Sequence, residues 1–194
     1  MTESWFEAPT LTGEHVRLEP LGHEHADALV IASDDPSIFQ WTAAPIDTRA
    51  DALAYIDVAS ENPDRVAFAQ VAVKTGAVVG TTSFYQIDPA HRSLAIGSTW
   101  LSKAAQGTGI NPESKLLLMR RAFDDLGAVR VEWHTDEFNK QSRAAITKLG
   151  AQFEGLLRKH RQRLDGSWRT TALFAMTDED WPAIAPQLER RVRT

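Results

Sequence analysis

The sequence predicts an α+β domain, layered as α/β/α, with a mixed but mostly antiparallel central sheet of about seven strands flanked by helices. Apolar residues switch between a period of two and helical spacing in the order β α α β β β α β α β β α. A turn motif, Thr75-Gly76-Ala77, joins two strand-like runs that a third run follows, which predicts an antiparallel meander. The 194 residues contain no linker, internal repeat or low-complexity tract. They therefore predict a single domain over residues 1–194.

Each element follows from its own local pattern. In chain order, the sequence predicts a strand at 14–20, a short helix at 22–33, a loop at 36–45, a helix from Asp47 or Thr48 to about Asn62, strands at 66–74, 78–87 and 94–101, a helix at 113–126, a strand at 129–135, a helix from Asn139 to Leu149-Gly150, strands at 151–162 and 168–177, and a helix at about 178–193.

Alternation and helix-boundary residues predict the elements before the meander. Val16 and Leu18 share one face of the first strand, as expected for a half-buried strand. The first helix ends before Pro36, which cannot continue a helix. The second helix places Leu53 and Ile56 on one face.

Helical spacing and stop residues predict the elements after the meander. Apolar residues recur at helical spacing from Leu116, and Gly127 ends that helix. Asn139 is a preferred N-cap for the next helix. Asp165-Gly166 separates the last two strands, and Pro182 falls in the first turn of the final helix.

The composition excludes several classes of protein. A net charge of −5 and a pI near 5.7 argue against a nucleic-acid partner. The chain has no cysteine, which excludes disulfides, thiolate metal sites and a cysteine nucleophile. Neither a leader pattern nor an apolar run of membrane-spanning length is present in the sequence. We therefore expect a soluble, cytoplasmic protein without a membrane partner.

A glycine-rich loop, KAAQGTGINPESK at 103–115, precedes the third helix. It lacks the Gly-Lys-Ser/Thr of a P-loop, and Pro112 stands where a dinucleotide fingerprint needs its third glycine. Gly107 and Gly109 nevertheless let backbone N–H groups approach a ligand closely. Asn111 as N-cap, with Pro112 at the first helical position, would open the helix N-terminus onto the loop. The loop therefore predicts either a cradle for a diphosphate or a plain strand-to-helix connection.

The loop lies between the last meander strand and a strand that DEFNKQSRAAITKLGA, residues 136–151, follows. This succession resembles the GNAT superfamily of acyl-CoA-dependent N-acyltransferases over nearly the whole chain, and within it the RimJ/RimL-like branch of ribosomal-protein N-terminal acetyltransferases. The pyrophosphate motif of that family, Gln/Arg-x-x-Gly-x-Gly/Ala, is matched at Gln106 and Gly109 and departs at Asn111. The resemblance implies a GNAT-like fold that uses acetyl-CoA or another acyl-CoA as co-substrate, without a metal.

A second match is Asn139-x-x-Ser142. In the family the asparagine contacts the pantetheine arm and the serine lies near the thioester sulfur, whereas the residues alone also fit an N-cap and a first turn. A splayed strand of the family donates a backbone N–H to the thioester carbonyl, and by position that strand is 94–101. The residues that the resemblance implies for catalysis are Ser142, Asn139 and Trp100. The residues that it implies for co-substrate binding are Thr99, Trp100, Leu101, Gln106, Gly107, Thr108, Gly109, Ile110, Asn111, Asn139 and Ser142.

The acceptor implied by the resemblance is a primary amine, either a peptide N-terminus or a small amine. In the superfamily it is recognised by the loop between the first two helices and by the closing hairpin, here 36–46 and about 160–170. Phe39 and Trp41 either line that groove or pack into the core. We expect the protein to work as a monomer or homodimer.

The sequence does not identify a single general base. No carboxylate lies in 94–101, where some relatives carry one. Glu132, His134 and Asp136 share one face of the next strand. They fit a solvated strand face, a base or water relay, or a metal site.

At pH 7 an α-amino group of pKa about 8 is roughly a tenth neutral, and a lysine amine of pKa about 10.4 is neutral less than one part in a thousand. A site without a strong base therefore favours an N-terminal or other low-pKa amine.

Two alternatives remain open at this stage. A non-catalytic acyl-CoA-binding or regulatory domain of the same fold is favoured by the departure at Asn111 and by the missing base. The closing hairpin also departs from the branch, because Thr170 or Thr171 stands in place of an acidic residue and Phe174 in place of a tyrosine. A nucleotide-binding module of a different fold is the third hypothesis.

Overall fold

A computed structural model of the protein describes residues 3–41, 45–163 and 165–193. Within these ranges the chain forms one sheet of eight strands flanked by five α-helices, and the predicted α+β class is confirmed. The strands are β1 (Leu11–Thr12), β2 (Val16–Pro20), β3 (Arg65–Ala72), β4 (Val78–Asp88), β5 (Ser93–Leu101), β6 (Arg130–Asp136), β7 (Gln152–Gln162) and β8 (Trp168–Thr177). The helices are α1 (Ala26–Ala32), α2 (Arg49–Ser60), α3 (Ile110–Arg120), α4 (Lys140–Lys148) and α5 (Trp181–Val192).

The sheet has the strand order β1-β2-β3-β4-β5-β6-β8-β7. All neighbouring strands are antiparallel except β5 and β6, which run parallel and are connected through α3. The predicted succession of elements is confirmed. The sequence does not predict β1, because a strand of two residues is too short to show alternation.

Two apolar clusters cover the sheet. The larger cluster packs α3, α4 and α5 on the strands and includes Phe84, Met119 and Trp133. The smaller cluster lies under α1 and α2 and includes Leu29 and Ile56. The sheet is therefore buried between helices, as the predicted layering requires.

A β-bulge in β5 changes the direction of its later side chains. Thr82 of β4 alone faces both Ser98 and Thr99 of β5. Ser98 has a φ of 46°, in the left-handed region, as an extra residue in a strand often does. Because of this extra residue, Ile96 packs in the larger cluster whereas Trp100 packs in the smaller one.

The helix boundaries show why capping is only partly readable in a sequence. Thr48 caps α2 through a reciprocal capping box with Asp51. The third helix begins at Ile110 instead of 113, so the predicted N-cap role of Asn111 is wrong. Gly109 is the N-cap, and the hydroxyl of Thr108 accepts the N–H of Ile110 at 3.3 Å, which starts the helix earlier.

Candidate active site

The parallel strands β5 and β6 separate after their first residues. Their register ends at the pair Ala95 and Glu132. Beyond it β5 continues to Leu101 and β6 to Asp136, and in the described chain each then pairs only with its outer neighbour, β4 or β8. The facing strand edges therefore present backbone N–H and C=O groups to a wedge-shaped opening between them. We refer to this opening as the wedge.

Trp100 does not place its ring in the wedge. Its side chain is 4% exposed and packs against Phe39, itself 5% exposed, with ring centroids 5.2 Å apart. Of the two alternatives for Phe39, core packing is the one that the structure shows. The ring of Trp100 is therefore not available to a ligand in the wedge, and its C=O, on the β4 side, accepts from Gln70 Nε2 at 3.4 Å.

A buried lysine of α3 holds the bulge from the other face of the sheet. Lys115 Nζ lies 2.8 Å from Thr82 Oγ1 and 2.7 Å from Thr99 Oγ1, and the two hydroxyl oxygens are 2.9 Å apart. Burial lowers the pKa of Lys115 to about 7. The Thr99 hydroxyl is occupied by this cluster, so Thr99, like Trp100, offers no side-chain group to the wedge.

The loop before α3 carries backbone donors without acceptors. Among the described residues, no group accepts the N–H of Gly107, Thr108, Gly109 or Asn111. Gly107 has a φ of 74°, and no atom lies within 4 Å of the position that a Cβ would take. Unpaired N–H groups beside a helix N-terminus are suited to an anion. The arrangement fits the predicted diphosphate cradle.

The other residues of the loop contribute differently. The side chain of Gln106 turns back to the main chain, where its Nε2 donates to the C=O of Leu101 at 3.1 Å. A Cβ at Gly109 would lie 2.8 Å from Cδ2 of His15, so Gly109 is required for packing as well as for ligand approach. The Oδ1 of Asn111 is buried and no donor within the described residues reaches it.

The first turn of α4 follows directly from the end of β6, at the open end of the wedge. The N–H of Asn139 donates to the C=O of Asp136 at 3.0 Å. Asn139 Oδ1 accepts the N–H of Ser142 at 3.0 Å, so the predicted N-cap is confirmed. Ser142 is partly exposed, and its hydroxyl bonds to no other group in the part of the chain that the structure describes. That hydroxyl remains free for a ligand.

A hydrogen-bonded row of side chains lies where β5 and β6 begin to separate. The Tyr85 hydroxyl is 3.1 Å from His134 Nδ1, and His134 Nε2 is 3.0 Å from a carboxylate oxygen of Glu132. The other carboxylate oxygen of Glu132 accepts from Arg130 Nε at 2.6 Å. The Tyr85 side chain lies across β5 at Gly97, where the absence of a side chain makes room for it. A Cβ at Gly97 would lie 2.7 Å from the Tyr85 ring.

The sequence pattern offers His134 and Glu132 as one possible relay but does not reveal Tyr85. Tyr85 belongs to β4 and His134 to β6, and only the sheet brings them together over Gly97. The predicted solvated strand face is wrong for His134 and Asp136, whose side chains are 7% and 3% exposed. Asp136 does not join the row, because it pairs with Arg163 at 2.8 Å. Within the described residues, no cluster has the composition of a metal site.

The protonation states of the row follow from burial and charge. The hydrogen bond from His134, with that from Arg130, lowers the pKa of Glu132 to about 2 against the effect of burial. Burial raises the pKa of Tyr85 to about 12. At neutral pH Glu132 is therefore a carboxylate and Tyr85 keeps its proton.

The closing hairpin adds polar groups beside this row. His160 Nδ1 is 3.1 Å from the hydroxyl of Thr171, which also accepts from Arg169 Nε at 2.9 Å. Burial, followed by the charge of a nearby arginine, lowers the pKa of His160. The Phe174 ring is buried and packs edge-on against Phe153. Neither Thr171 nor Phe174 supplies an acid or a hydroxyphenyl group here.

The predicted acceptor side is described in part. Trp41 is partly exposed, and the residues that follow it, 42–44, lie outside the described residues. In the closing hairpin, residue 164 also lies outside them. Trp41 as an acceptor contact therefore stays a prediction.

Comparison with known proteins places this site in a family. Residues 15–152 match the family described as acetyltransferase (GNAT) domain. The protein belongs to the GNAT acetyltransferase family. No helix among the described residues is long and apolar enough to cross a membrane.

Individual relatives agree with this assignment. The chain is 30% identical over 103 residues to Probable N-acetyltransferase YjcK of Bacillus subtilis (strain 168), which covers 53% of this chain and 56% of that protein. The match thus spans little more than half of the curated relative. A GCN5-related N-acetyltransferase from Brucella melitensis superposes with a TM-score of 0.91 at 34% identity, over 96% of this chain and 86% of that one. The microcin C7 self-immunity acetyltransferase MccE, solved with acetyl-CoA and AMP, shares the fold with a TM-score of 0.74 at 21% identity, over 85% of this chain and 93% of that one.

Proposed function

We propose that the protein transfers an acetyl group, or a similar acyl group, from coenzyme A to a primary amine by direct attack of the amine on the thioester. The observation that carries the proposal is the wedge between β5 and β6, which opens beside the free N–H groups of the loop before α3. The family match supports an acyl-CoA co-substrate. When bound, acyl-CoA supplies an activated carbonyl carbon and a thiol leaving group.

The loop residues fit a diphosphate. The N–H groups of Gly107, Thr108 and Gly109 would hold its oxygens, and the N-terminus of α3 at Ile110 adds the positive end of the helix dipole. The N–H of Asn111 also lacks an acceptor among the described residues and would donate to the same oxygens, whereas the Asn111 Oδ1 can only accept and would not bind them.

The wedge fits the acyl and pantetheine portion. The end of β5, from Thr99 to Leu101, runs along the opening, and a backbone N–H there that points away from β4 would stabilise the oxyanion that develops on the carbonyl. Asn139 and Ser142 begin α4 at the end of β6. The free hydroxyl of Ser142 is suited to donate a hydrogen bond to the departing sulfur.

The acceptor that we propose is a peptide N-terminus, as in the RimJ/RimL-like branch, and the protein would act in the cytoplasm. The polar row at Tyr85 and the closing hairpin line the face of the sheet opposite the larger apolar cluster. Trp41 would contact the acceptor from the loop between α1 and α2.

Coenzyme A affinity and thiol release test the proposal together. Calorimetry should show CoA binding, and a thiol assay with acetyl-CoA should show release that depends on an amine from a panel of peptides, small amines and aminoglycosides. CoA binding without turnover on any acceptor would instead support the non-catalytic domain. Failure to bind CoA would contradict both hypotheses.

Two glycines provide a matched pair for the cradle. Gly107 and Gly76 have φ values of 74° and 70°, and neither has an atom within 4 Å of its would-be Cβ. Alanine at either position carries a similar backbone strain of about 1–2 kcal/mol. Gly107→Ala should weaken CoA binding at least tenfold, whereas Gly76→Ala, in the β3–β4 turn, should leave it unchanged. Equal affinities in the two variants would contradict the cradle.

A further inference from the structure

We propose that Tyr85, His134 and Glu132 form a proton relay that deprotonates the acceptor amine, with the Tyr85 hydroxyl meeting the amine or a water bound to it. The inference rests on the proposed acyl transfer, selects the base relay from the alternatives that the sequence leaves open for Glu132 and His134, and adds Tyr85 to it. It concerns three residues on two strands that the sheet brings together at the apex of the wedge.

The geometry supplies a continuous row of hydrogen-bonding groups from the Tyr85 hydroxyl through the His134 imidazole to the partly exposed carboxylate of Glu132. Tyr85 is partly exposed, whereas the His134 side chain is 7% exposed. The Tyr85 hydroxyl is the end of the row that lies over β5, 3.4 Å from the position that a Cβ would take at Gly97, and the imidazole links it to Glu132. Both hydrogen bonds of the imidazole, 3.1 Å to Tyr85 and 3.0 Å to Glu132, are within the range of proton transfer.

The direction of the hydrogen bonds follows from the chemistry of the end groups. Glu132 is an ionised carboxylate and can only accept, so His134 Nε2 carries a proton and donates it. Neutral imidazole then presents a lone pair at Nδ1, and the protonated Tyr85 hydroxyl donates to it. Tyr85 is thus a conduit, because its own proton is held too tightly for it to act as the base alone.

The proton balance of the step is complete. An ammonium proton passes to the Tyr85 oxygen while the Tyr85 proton passes to His134 Nδ1, and the imidazolium is stabilised by Glu132. The amine lone pair attacks the thioester carbonyl, so that a C–N bond forms and the C–S bond breaks. The second proton leaves the nitrogen and ends on the departing thiolate. His134 returns its proton to solvent, which gives the amide, free CoA thiol and one released proton.

Charged groups on the neighbouring strands have opposite effects on a positive charge at His134. Glu132 favours the imidazolium, and Arg130 and Glu154 extend that ion-pair network. Arg161 and Arg169 of the closing hairpin approach from the other side and disfavour added positive charge. The ring of His160 is 5.9 Å from that of His134, and burial keeps it neutral near pH 7, so it adds no repulsion.

Three variants and two controls separate a proton relay from a packing role. Tyr85→Phe and His134→Gln keep similar volume but cannot pass the proton, and each should lower kcat about 100-fold at pH 7 with a smaller change in KM. The double variant should lose no more than either single variant. Glu132→Gln should reduce kcat less, because the imidazole remains. The controls are Tyr55→Phe, on α2, and His91→Gln, which is exposed in the β4–β5 turn.

The pH profile gives the sharpest distinction. In the wild type the relay takes up the amine proton, so kcat/KM should level off before the acceptor amine itself ionises. In Tyr85→Phe the reaction depends on acceptor that is already neutral, so kcat/KM should keep rising through the ionisation of the amine, near pH 8 for an α-amino group. Because the neutral fraction of such an amine rises about tenfold from pH 7 to pH 9.5, the 100-fold deficit at pH 7 should shrink to about tenfold by pH 9.5. A deficit that is constant with pH would overturn the relay.

A second measurement needs neither acyl-CoA nor acceptor. Long-range ¹H–¹⁵N NMR of the free protein should show His134 with its proton on Nε2 and a hydrogen-bonded Nδ1. Tyr85→Phe should shift that Nδ1 resonance and Tyr55→Phe should not. If the wild type turns over and Tyr85→Phe matches it, the relay is wrong while the acyl transfer stands. If the wild type binds CoA but acylates no amine, the proposed function itself fails.

Discussion

Replacing the buried Lys115 by methionine should stabilise the protein and remove a specific part of its pH dependence. Among the described residues the Lys115 amine bonds only to the hydroxyls of Thr82 and Thr99, and burial is the cause of its lowered pKa. Methionine has a similar length, and the two hydroxyls remain bonded to each other at 2.9 Å. The substitution therefore leaves no strongly unsatisfied group behind.

The magnitude follows from the shift in protonation. Each tenfold change in a protonation equilibrium is worth about 1.4 kcal/mol. A pKa that falls from 10.5 to about 7 thus corresponds to on the order of 5 kcal/mol against the charged amine in the folded protein. Between about pH 7 and pH 10 the unfolded chain binds a proton here that the folded protein does not. The loss in the free energy of unfolding that Lys115 causes should therefore be constant below pH 7. Above pH 7 this loss should shrink by about 1.4 kcal/mol per pH unit as the pH rises.

Urea unfolding of the wild type and Lys115→Met from pH 6 to pH 10 measures this difference. The free energy of unfolding of the variant should exceed that of the wild type most at pH 6–7, and the gap should narrow steadily above pH 7. Lys74→Met, at an exposed position in the β3–β4 turn, is the control and should give a difference that does not follow this slope. If the difference in free energy of unfolding between Lys115→Met and the wild type did not change with pH, the lowered pKa of a buried Lys115 would be refuted.

Three further substitutions test other parts of the account. Ser142→Ala should lower the rate of thiol release only about tenfold, because a thiolate is a tolerable leaving group even without a proton donor. CoA affinity should change little. An equal loss in the rate of thiol release and in CoA affinity would count against the assigned role of Ser142. Glu113→Gln should lower the free energy of unfolding by about 1–3 kcal/mol, because the carboxylate accepts the N–H groups of residues 14–16 at 2.6–2.8 Å, and an unchanged urea midpoint would contradict this. Asn111→Ala removes a buried oxygen without a donor and should raise the stability of the free protein by about 1 kcal/mol in thermal unfolding, whereas a loss of stability would show that Asn111 packs productively.

Much of the fold is readable from local patterns because local physics determines those parts. Alternation predicts the strands, and Asn139 predicts the start of α4 because a side-chain cap satisfies a helix N–H wherever the helix lies. The start of α3 is missed because the Thr108 hydroxyl supports a first turn ahead of the better N-cap, Asn111. The burial of Phe39 depends on Trp100, whose direction depends in turn on a bulge.

The site is less readable because its geometry arises between strands. The bulge places Ser98 at a positive φ without the glycine that usually marks such a position. Tyr85 and His134 are 49 residues apart and meet only because Gly97 stands between them in the sheet. The backbone donors of the glycine-rich loop, by contrast, are predictable, because Gly107 adopts the left-handed conformation that its residue type favours.

Amine-dependent cleavage of acetyl-CoA is the direct test of acyl transfer by this protein. The purified protein would be mixed with acetyl-CoA and peptides with free N-termini, and thiol release and peptide mass would be followed together. The account predicts that each released thiol is matched by one acetyl group on the peptide α-amine, and that Gly107→Ala slows the reaction through weaker CoA binding while Gly76→Ala does not. Thiol release without acetylated amine, or CoA binding without either product, would contradict it.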